Sequence, residues 1–180
     1  MEYIYYKDNV KTDEEQPLKV LQVYEAHNPE IDQKIVDFWL NQNALPSLED
    51  EFVKKRLEDV LFLVLNEAEE IVGVSSGTPM YFEQIRNNFL YFRLFVKEDY
   101  RGNNRGVAMA MYYATFDLFD ELKELFTQAI IGILVIYESE HLNKVINYYH
   151  SEKYRNQVLV GYTDKNEQIR ITYFKGLKMF

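Results

Sequence analysis

A chain of 180 residues, 47% hydrophobic with 15 tyrosines and 12 phenylalanines, carries enough apolar mass for one substantial core, so residues 1–180 read as a single packed domain. Its formal charge of −9 argues against non-specific nucleic-acid binding, which depends on Lys and Arg neutralising phosphates, and suits a cationic partner such as an amine. With no cysteine there is no disulfide framework, thiol nucleophile or thiolate metal site.

Glu2 to Tyr6 is the first strand candidate, and Leu18 to Tyr24 alternates as a second. Asn28-Pro29 is a helix cap followed by proline at the first helical position. Ile31, Ile35, Phe38 and Trp39 then recur at helical spacing, which predicts a helix to about Asn41. Ser47-Leu-Glu-Asp50 resembles a capping box with Asp in place of Glu, opening a second helix through Phe52 to Leu57. Val60 to Leu65 and Ile71 to Ser76, joined by the acidic turn Asn66 to Glu70, predict an antiparallel hairpin. Phe89 to Lys97 is the next strand.

From Gly106 the positions Val107, Met111, Ala114, Leu118, Leu122 and Leu125 keep a helical period. Ala129 to Ile136 is a continuous run rich in β-branched residues that predicts a fully buried strand. Ser139 can cap a short helix with the stripe Leu142, Val145, Ile146, Tyr149. Gln157 to Tyr162 and Ile169 to Phe174 flank the turn Thr163 to Asn166 as a last hairpin. The order β-α-α-β-β-β-α-β-α-β-β implies a mixed sheet with helical cover.

Three histidines (His27, His141, His150) lack metal-ligand spacing, so no metal is expected. The N-terminus lacks a basic and apolar leader pattern, and no apolar run approaches the ~18 residues of a membrane span. The expectation is a cytoplasmic protein without a membrane partner.

The most informative stretch runs from Leu90 to Ala114. An apolar strand enters a turn of Gly, Asn and two arginines, and the turn opens the long helix. Unpaired backbone N–H groups and the positive end of the helix dipole then converge on one point. That geometry suits a phosphate-bearing ligand and points to a pyrophosphate-containing cofactor.

The strand Leu94-Phe-Val96, the loop start Tyr100-Arg101-Gly102 and the Gly-rich turn, set in this element order, resemble the GNAT superfamily of N-acetyltransferases over roughly Leu18 to Phe174. The family pattern after the strand is Arg/Gln-x-x-Gly-x-Gly/Ala. Counting from Arg101 puts Asn104 where glycine is expected. Counting back from the helix gives Asn103-x-x-Gly106-x-Ala108, with Asn in place of Arg. The second register is favoured here, because it sets Val107, Ala110 and Met111 on the buried helix face. A second family element, Tyr-x-x-x-Gly-Phe/Tyr, matches Tyr149-His-Ser-Glu-Lys153-Tyr154 with lysine for glycine, and the usual asparagine near that helix start falls one position late, at Asn143.

The resemblance implies an α/β (α+β mixed) fold, with a mostly antiparallel mixed sheet of about seven strands and about four helices. It implies acetyl-CoA, or another coenzyme A thioester, as co-substrate. The pyrophosphate would rest on Arg101, Gly102, Asn103, Asn104, Arg105, Gly106, Val107 and Ala108, and the pantetheine arm would pair with Leu94, Phe95 and Val96. Acetyl would pass directly to a cationic amine acceptor, a small molecule or a protein amine, with no covalent enzyme intermediate. Arg101 and Arg105 are expected as phosphate partners. Tyr149 is the family-matched proton donor to the departing thiolate. Glu83, Glu138 or a water chain would take the proton from the ammonium. The resemblance leaves room for a homodimer, and for a catalytically silent member that binds CoA without turnover.

Overall fold

The computed structural model describes residues 3–4, 18–101, 106–125, 129–146, 149–152 and 155–176. These fall into two compact units, one of residues 1–77 and 94–115, the other of 78–93 and 116–180.

In the first unit, β1 (Tyr3–Ile4), β2 (Lys19–Gln22), β3 (Val60–Leu65) and the first part of β4 (Ile71–Phe82) pair antiparallel in that order. Every residue of β3 is buried, as its unbroken apolar run requires of a strand covered on both faces. Helix α1 spans Pro29–Asn41, and the side-chain oxygen of Asn28 accepts from the N–H groups of Glu30 and Ile31, both at 3.1 Å. Its buried residues Ile31, Ile35, Phe38 and Trp39 join Leu21, Val60, Leu63 and Val74 in one core.

Helix α2 (Asp50–Glu58) corrects the expected capping box. The capping position is Glu49, which makes no side-chain cap bond, while Ser47 Oγ accepts from the N–H of Glu49 at 3.2 Å. A serine that turns back onto its neighbouring backbone competes with the cap. No residue of α2 is buried, so packing does not decide between the two.

In the second unit, the first part of β5 (Asn87–Val96, entered by the turn 83–86 after β4), as far as Arg93, runs parallel to β6 (Ile130–Tyr137), with Leu90 opposite Ile133 and Phe92 opposite Val135. Parallel neighbours need a long crossover, and helix α3 (Val107–Leu122) lies on that connection. Strand β6 pairs antiparallel with β9 (Gln168–Tyr173), β9 with β8 (Gln157–Tyr162), and β8 with β7 (His150–Ser151). Phe82, Phe89, Leu134, Ile169 and Ile171 form the core of this unit.

The fold is therefore mixed α/β, with a mostly antiparallel sheet and four α-helices. Nine strands are described where about seven were expected; β1 and β7 are two-residue pairings. Among the described residues no helix is long and apolar enough to cross a membrane.

Two predicted stripes are corrected. In α3 the buried face begins as expected with Val107, Met111 and Ala114 but continues through Phe116 and Phe119. Leu118 and Leu122 are only half-buried, and Leu125 stands 76% exposed in the 3₁₀ turn Lys123–Leu125. The larger aromatic rings take the inner positions, Phe116 edge-on to Phe174 at 5.4 Å. Helix α4 is only Glu140–Val145 with Ser139 as cap, so Tyr149 lies beyond it. The Gln168 Nε2 group donates to the carbonyls of Asn143 (3.1 Å) and Ile146 (2.7 Å). A side chain from β9 thus satisfies carbonyls that a longer helix would have used.

Candidate functional site

The proposed cofactor turn is reached from β5. The N–H of Lys97 donates to the carbonyl of Val72 at 2.9 Å, so the backbone of Lys97 faces β4. Strand periodicity of two then directs the backbone groups of Leu94 and Val96 away from β4. A single 3₁₀ turn, Glu98–Tyr100, follows. Its closing bonds run from Tyr100 N–H to Lys97 O (2.9 Å) and from Arg101 N–H to Glu98 O (3.0 Å). Asn66, in the β3–β4 turn, donates to the Tyr100 hydroxyl at 3.3 Å and ties the two turns together.

Arg101 reaches back along the strand. Its Nε donates to the carbonyl of Val96 at 2.7 Å, and its guanidinium lies 5.2 Å from the centre of the Phe95 ring. Phe95 is in turn held edge-on by Phe38 of α1 at 5.9 Å. Gly102, Asn103, Asn104 and Arg105 lie outside the described residues.

Gly106 has φ +61°, a left-handed angle that glycine adopts without the Cβ penalty. The Gly106 carbonyl accepts from Ala110 N–H at 2.9 Å and so opens α3. The first-turn N–H groups that follow have no partner within the helix. Val107, Ala110 and Met111 are buried and Ala108 is exposed, so Val107 offers a ligand its backbone only. Helices α1 and α2 carry acids in their first turns, Glu30 with Asp32 and Asp50 with Glu51, whereas the first turn of α3 carries none. Its own first turn therefore places no acid against its dipole.

One contact that the sequence reading missed sets the height of this turn. A Cβ placed on Gly73 of β4 would meet Val107 Cγ1 at 2.8 Å and Met111 Cε at 2.9 Å. The first turn of α3 therefore rests directly on the β4 backbone. An isolated glycine inside an apolar strand is the signal that points to such an approach.

The expected acid–base residues are dispersed along the chain. Tyr149 is 71% exposed in a bend, and its carbonyl accepts from Leu159 N–H at 2.8 Å. Glu138 is exposed just after β6, with Arg93 Nη2 at 3.8 Å from its carboxylate. Glu83 is exposed at the start of the turn ahead of β5. Asn143 is fully engaged: its amide donates to the carbonyls of Tyr137 (2.5 Å) and Ser139 (3.2 Å) and accepts from Gln168 N–H (3.0 Å). It fastens the end of β6 and helix α4 to β9.

No protein-family model and no curated protein matches this chain. Solved structures do match. A GNAT-family acetyltransferase from Listeria monocytogenes is 18% identical with a TM-score of 0.54, the match covering 86% of this chain and 95% of that one. The chain has the GNAT fold. Arabidopsis thaliana NAA60 in complex with acetyl-CoA shares it at 13% identity and TM-score 0.53, over 87% of this chain and 99% of that one. An Enterococcus faecalis protein, a probable N-acyltransferase, is similar at 16% identity and TM-score 0.52 over 76% of this chain, and the present chain spans 33% of its length.

Proposed function

We propose that this chain binds acetyl-CoA and transfers the acetyl group to an amine. The observation that carries the reading is the acid-free N-terminus of α3, opened by Gly106 at positive φ and following the end of β5 on a GNAT fold. The fit to a diphosphate is electrostatic and steric at once. Backbone donors stand at the positive end of a helix dipole, and the residue before them has no side chain to block an approach.

In this reading the pyrophosphate is held from Gly102 to Ala108 and the pantetheine arm runs along Leu94 to Val96. The N–H of Val96, directed away from β4, donates to the thioester oxygen and strengthens that bond as negative charge develops there. A cationic amine must first lose a proton, since alkyl ammonium groups titrate near ~10.4. Glu138, Glu83 or a water chain takes it. The Tyr149 hydroxyl, open to solvent, supplies a proton to the leaving thiolate.

Free-thiol release from acetyl-CoA across a panel of amines tests catalysis. Thermal stabilisation by CoA, with much smaller shifts from ATP and NAD, tests the cofactor. At 100 times the dissociation constant, ligand adds ~2.7 kcal/mol, or several degrees for a chain of this size. Equal shifts from all three ligands would mean generic anion binding. The position of Tyr149 beyond α4 favours one second reading, a GNAT-fold module that binds CoA without turnover; CoA binding with no thiol release from any amine would establish it.

A further inference from the structure

We infer that Arg101 is a positioning residue that ends β5 by clamping the Val96 carbonyl beside the Phe95 ring, and that it is not a phosphate contact. The inference rests on the CoA-binding reading and deepens it. Arg101 follows the 3₁₀ turn, five residues after Val96, and its Nε–H···O distance of 2.7 Å is short, as for a charge-assisted bond. The guanidinium also lies over the Phe95 ring at 5.2 Å, while Phe38 supports the same ring from α1. Two backbone bonds, Lys97 N–H to Val72 O and Tyr100 N–H to Lys97 O, fix the segment between strand and clamp.

The consequence for the ligand is specific. Backbone groups of Leu94 and Val96 face away from β4, the side on which a pantetheine amide can pair. The Val96 carbonyl is already taken by Arg101, so that edge offers the Val96 N–H and the Leu94 groups. Arg101 thereby keeps the Val96 edge a donor, the polarity needed to meet a thioester oxygen.

Lysine separates the two roles. It keeps the charge but loses the planar fork that bonds through Nε while stacking on a ring. A positioning role predicts that Arg101→Lys and Arg101→Ala weaken CoA binding alike, by about 10- to 100-fold. The loss should be the same at about 50 mM and about 500 mM salt, because no screened charge contact is removed. In the ligand-free protein both variants should speed amide hydrogen exchange at Lys97 and Tyr100, a readout that a phosphate contact would not move.

Wild-type affinity in Arg101→Lys, together with a loss in Arg101→Ala that shrinks at high salt, would overturn the inference in favour of direct phosphate contact. Unchanged exchange in both variants would overturn the clamp. If the wild-type chain binds no CoA by calorimetry, the functional reading fails, and the exchange measurement still decides the clamp by itself.

Discussion

Three glycines in strands face different surroundings, and adding one methyl to each should separate packing from function. A Cβ on Gly161 would meet nothing within 4 Å. On Gly73 it would lie 2.8 Å from Val107 Cγ1 and 2.9 Å from Met111 Cε. On Gly132 it would lie 2.1 Å from the Thr172 carbonyl oxygen of the neighbouring strand. Gly161→Ala should therefore be neutral or stabilising by up to about 1 kcal/mol, through a less flexible unfolded chain. Gly73→Ala overpacks against one side chain that can swing, Met111, and one that is stiff, Val107. Overpacking of this kind costs about 1–3 kcal/mol, or about 2–12 °C in Tm at ~2–4 °C per kcal/mol. Gly132→Ala presses on backbone within the β6–β9 ladder, where relief means breaking paired hydrogen bonds. Its cost should exceed ~4 kcal/mol, in the exceptional range for point substitutions.

Urea unfolding of the three variants, followed by circular dichroism, measures the series. Gly73→Ala should in addition weaken CoA binding, because lifting the first turn of α3 displaces the N–H groups that are proposed to hold phosphate. Equal stability of Gly132→Ala and Gly161→Ala would refute the close approach of β6 and β9. Unaltered CoA affinity in a destabilised Gly73→Ala would refute the link between the β4 contact and the turn.

Gly106→Val should abolish CoA binding while costing about 1–3 kcal/mol of stability, since a β-branched residue is strained at φ +61°; calorimetry and thermal melts read the two effects separately. Tyr149→Phe should lower kcat by ~10²–10⁴-fold with CoA affinity unchanged; an equal kcat would make water the proton donor. Burial raises the Asp120 pKa, but the Lys123 ammonium and the Lys175 backbone N–H outweigh it and hold the carboxyl below its ordinary 3.8. A lowered folded pKa contributes stability above the unfolded value, lost as pH falls through the folded one, so Asp120→Asn should destabilise at neutral pH by about 1–2 kcal/mol and flatten the acid limb of a stability-versus-pH curve below about pH 4.

Elements whose signals are local were legible in the sequence. Helix α1 was readable down to its Asn28 cap, because capping residue, proline and apolar period all lie within fourteen consecutive positions from 28 to 41. The β3–β4 hairpin was readable because an unbroken apolar run and an acidic turn agree. What escaped depends on partners distant in the chain. Helix α4 stops early because Gln168 of β9 takes its carbonyls, and β7 exists through pairing His150 with Val158. In α2 the local signals conflict, since Ser47 can cap the helix or its neighbour's N–H, and no burial arbitrates.

The candidate site divides in the same way. Gly106 and the start of α3 were legible because a left-handed residue before an apolar helical period leaves few sequence options. The Arg101 clamp was not, since a lone arginine in a glycine-rich loop reads equally as a phosphate partner. Gly73 carried a readable signal, a glycine interrupting an apolar strand, but its partner Val107 lies over thirty positions away.

The charge pattern of the helix starts allows a test that sets stability against binding. In a chain of net charge −9, acids occupy the first turns of α1 and α2, where they meet the helix dipole favourably, yet α3 begins with none. Ala108 is exposed in that first turn, so a carboxylate fits there without steric conflict. In Ala108→Asp the dipole gain of ~0.3–1 kcal/mol roughly offsets a helix-propensity loss of up to about 0.7 kcal/mol. Stability should stay near that of the wild type. A diphosphate approaching the same N–H groups would meet a like charge at close range, a cost of ~1–4 kcal/mol at about 4 Å, or about fivefold or more in Kd. Ala108→Lys should do the reverse, with slightly lower stability and equal or tighter CoA binding. If Ala108→Asp binds CoA as the wild type does, anions do not use this helix start, and the absence of acids there has no bearing on the ligand.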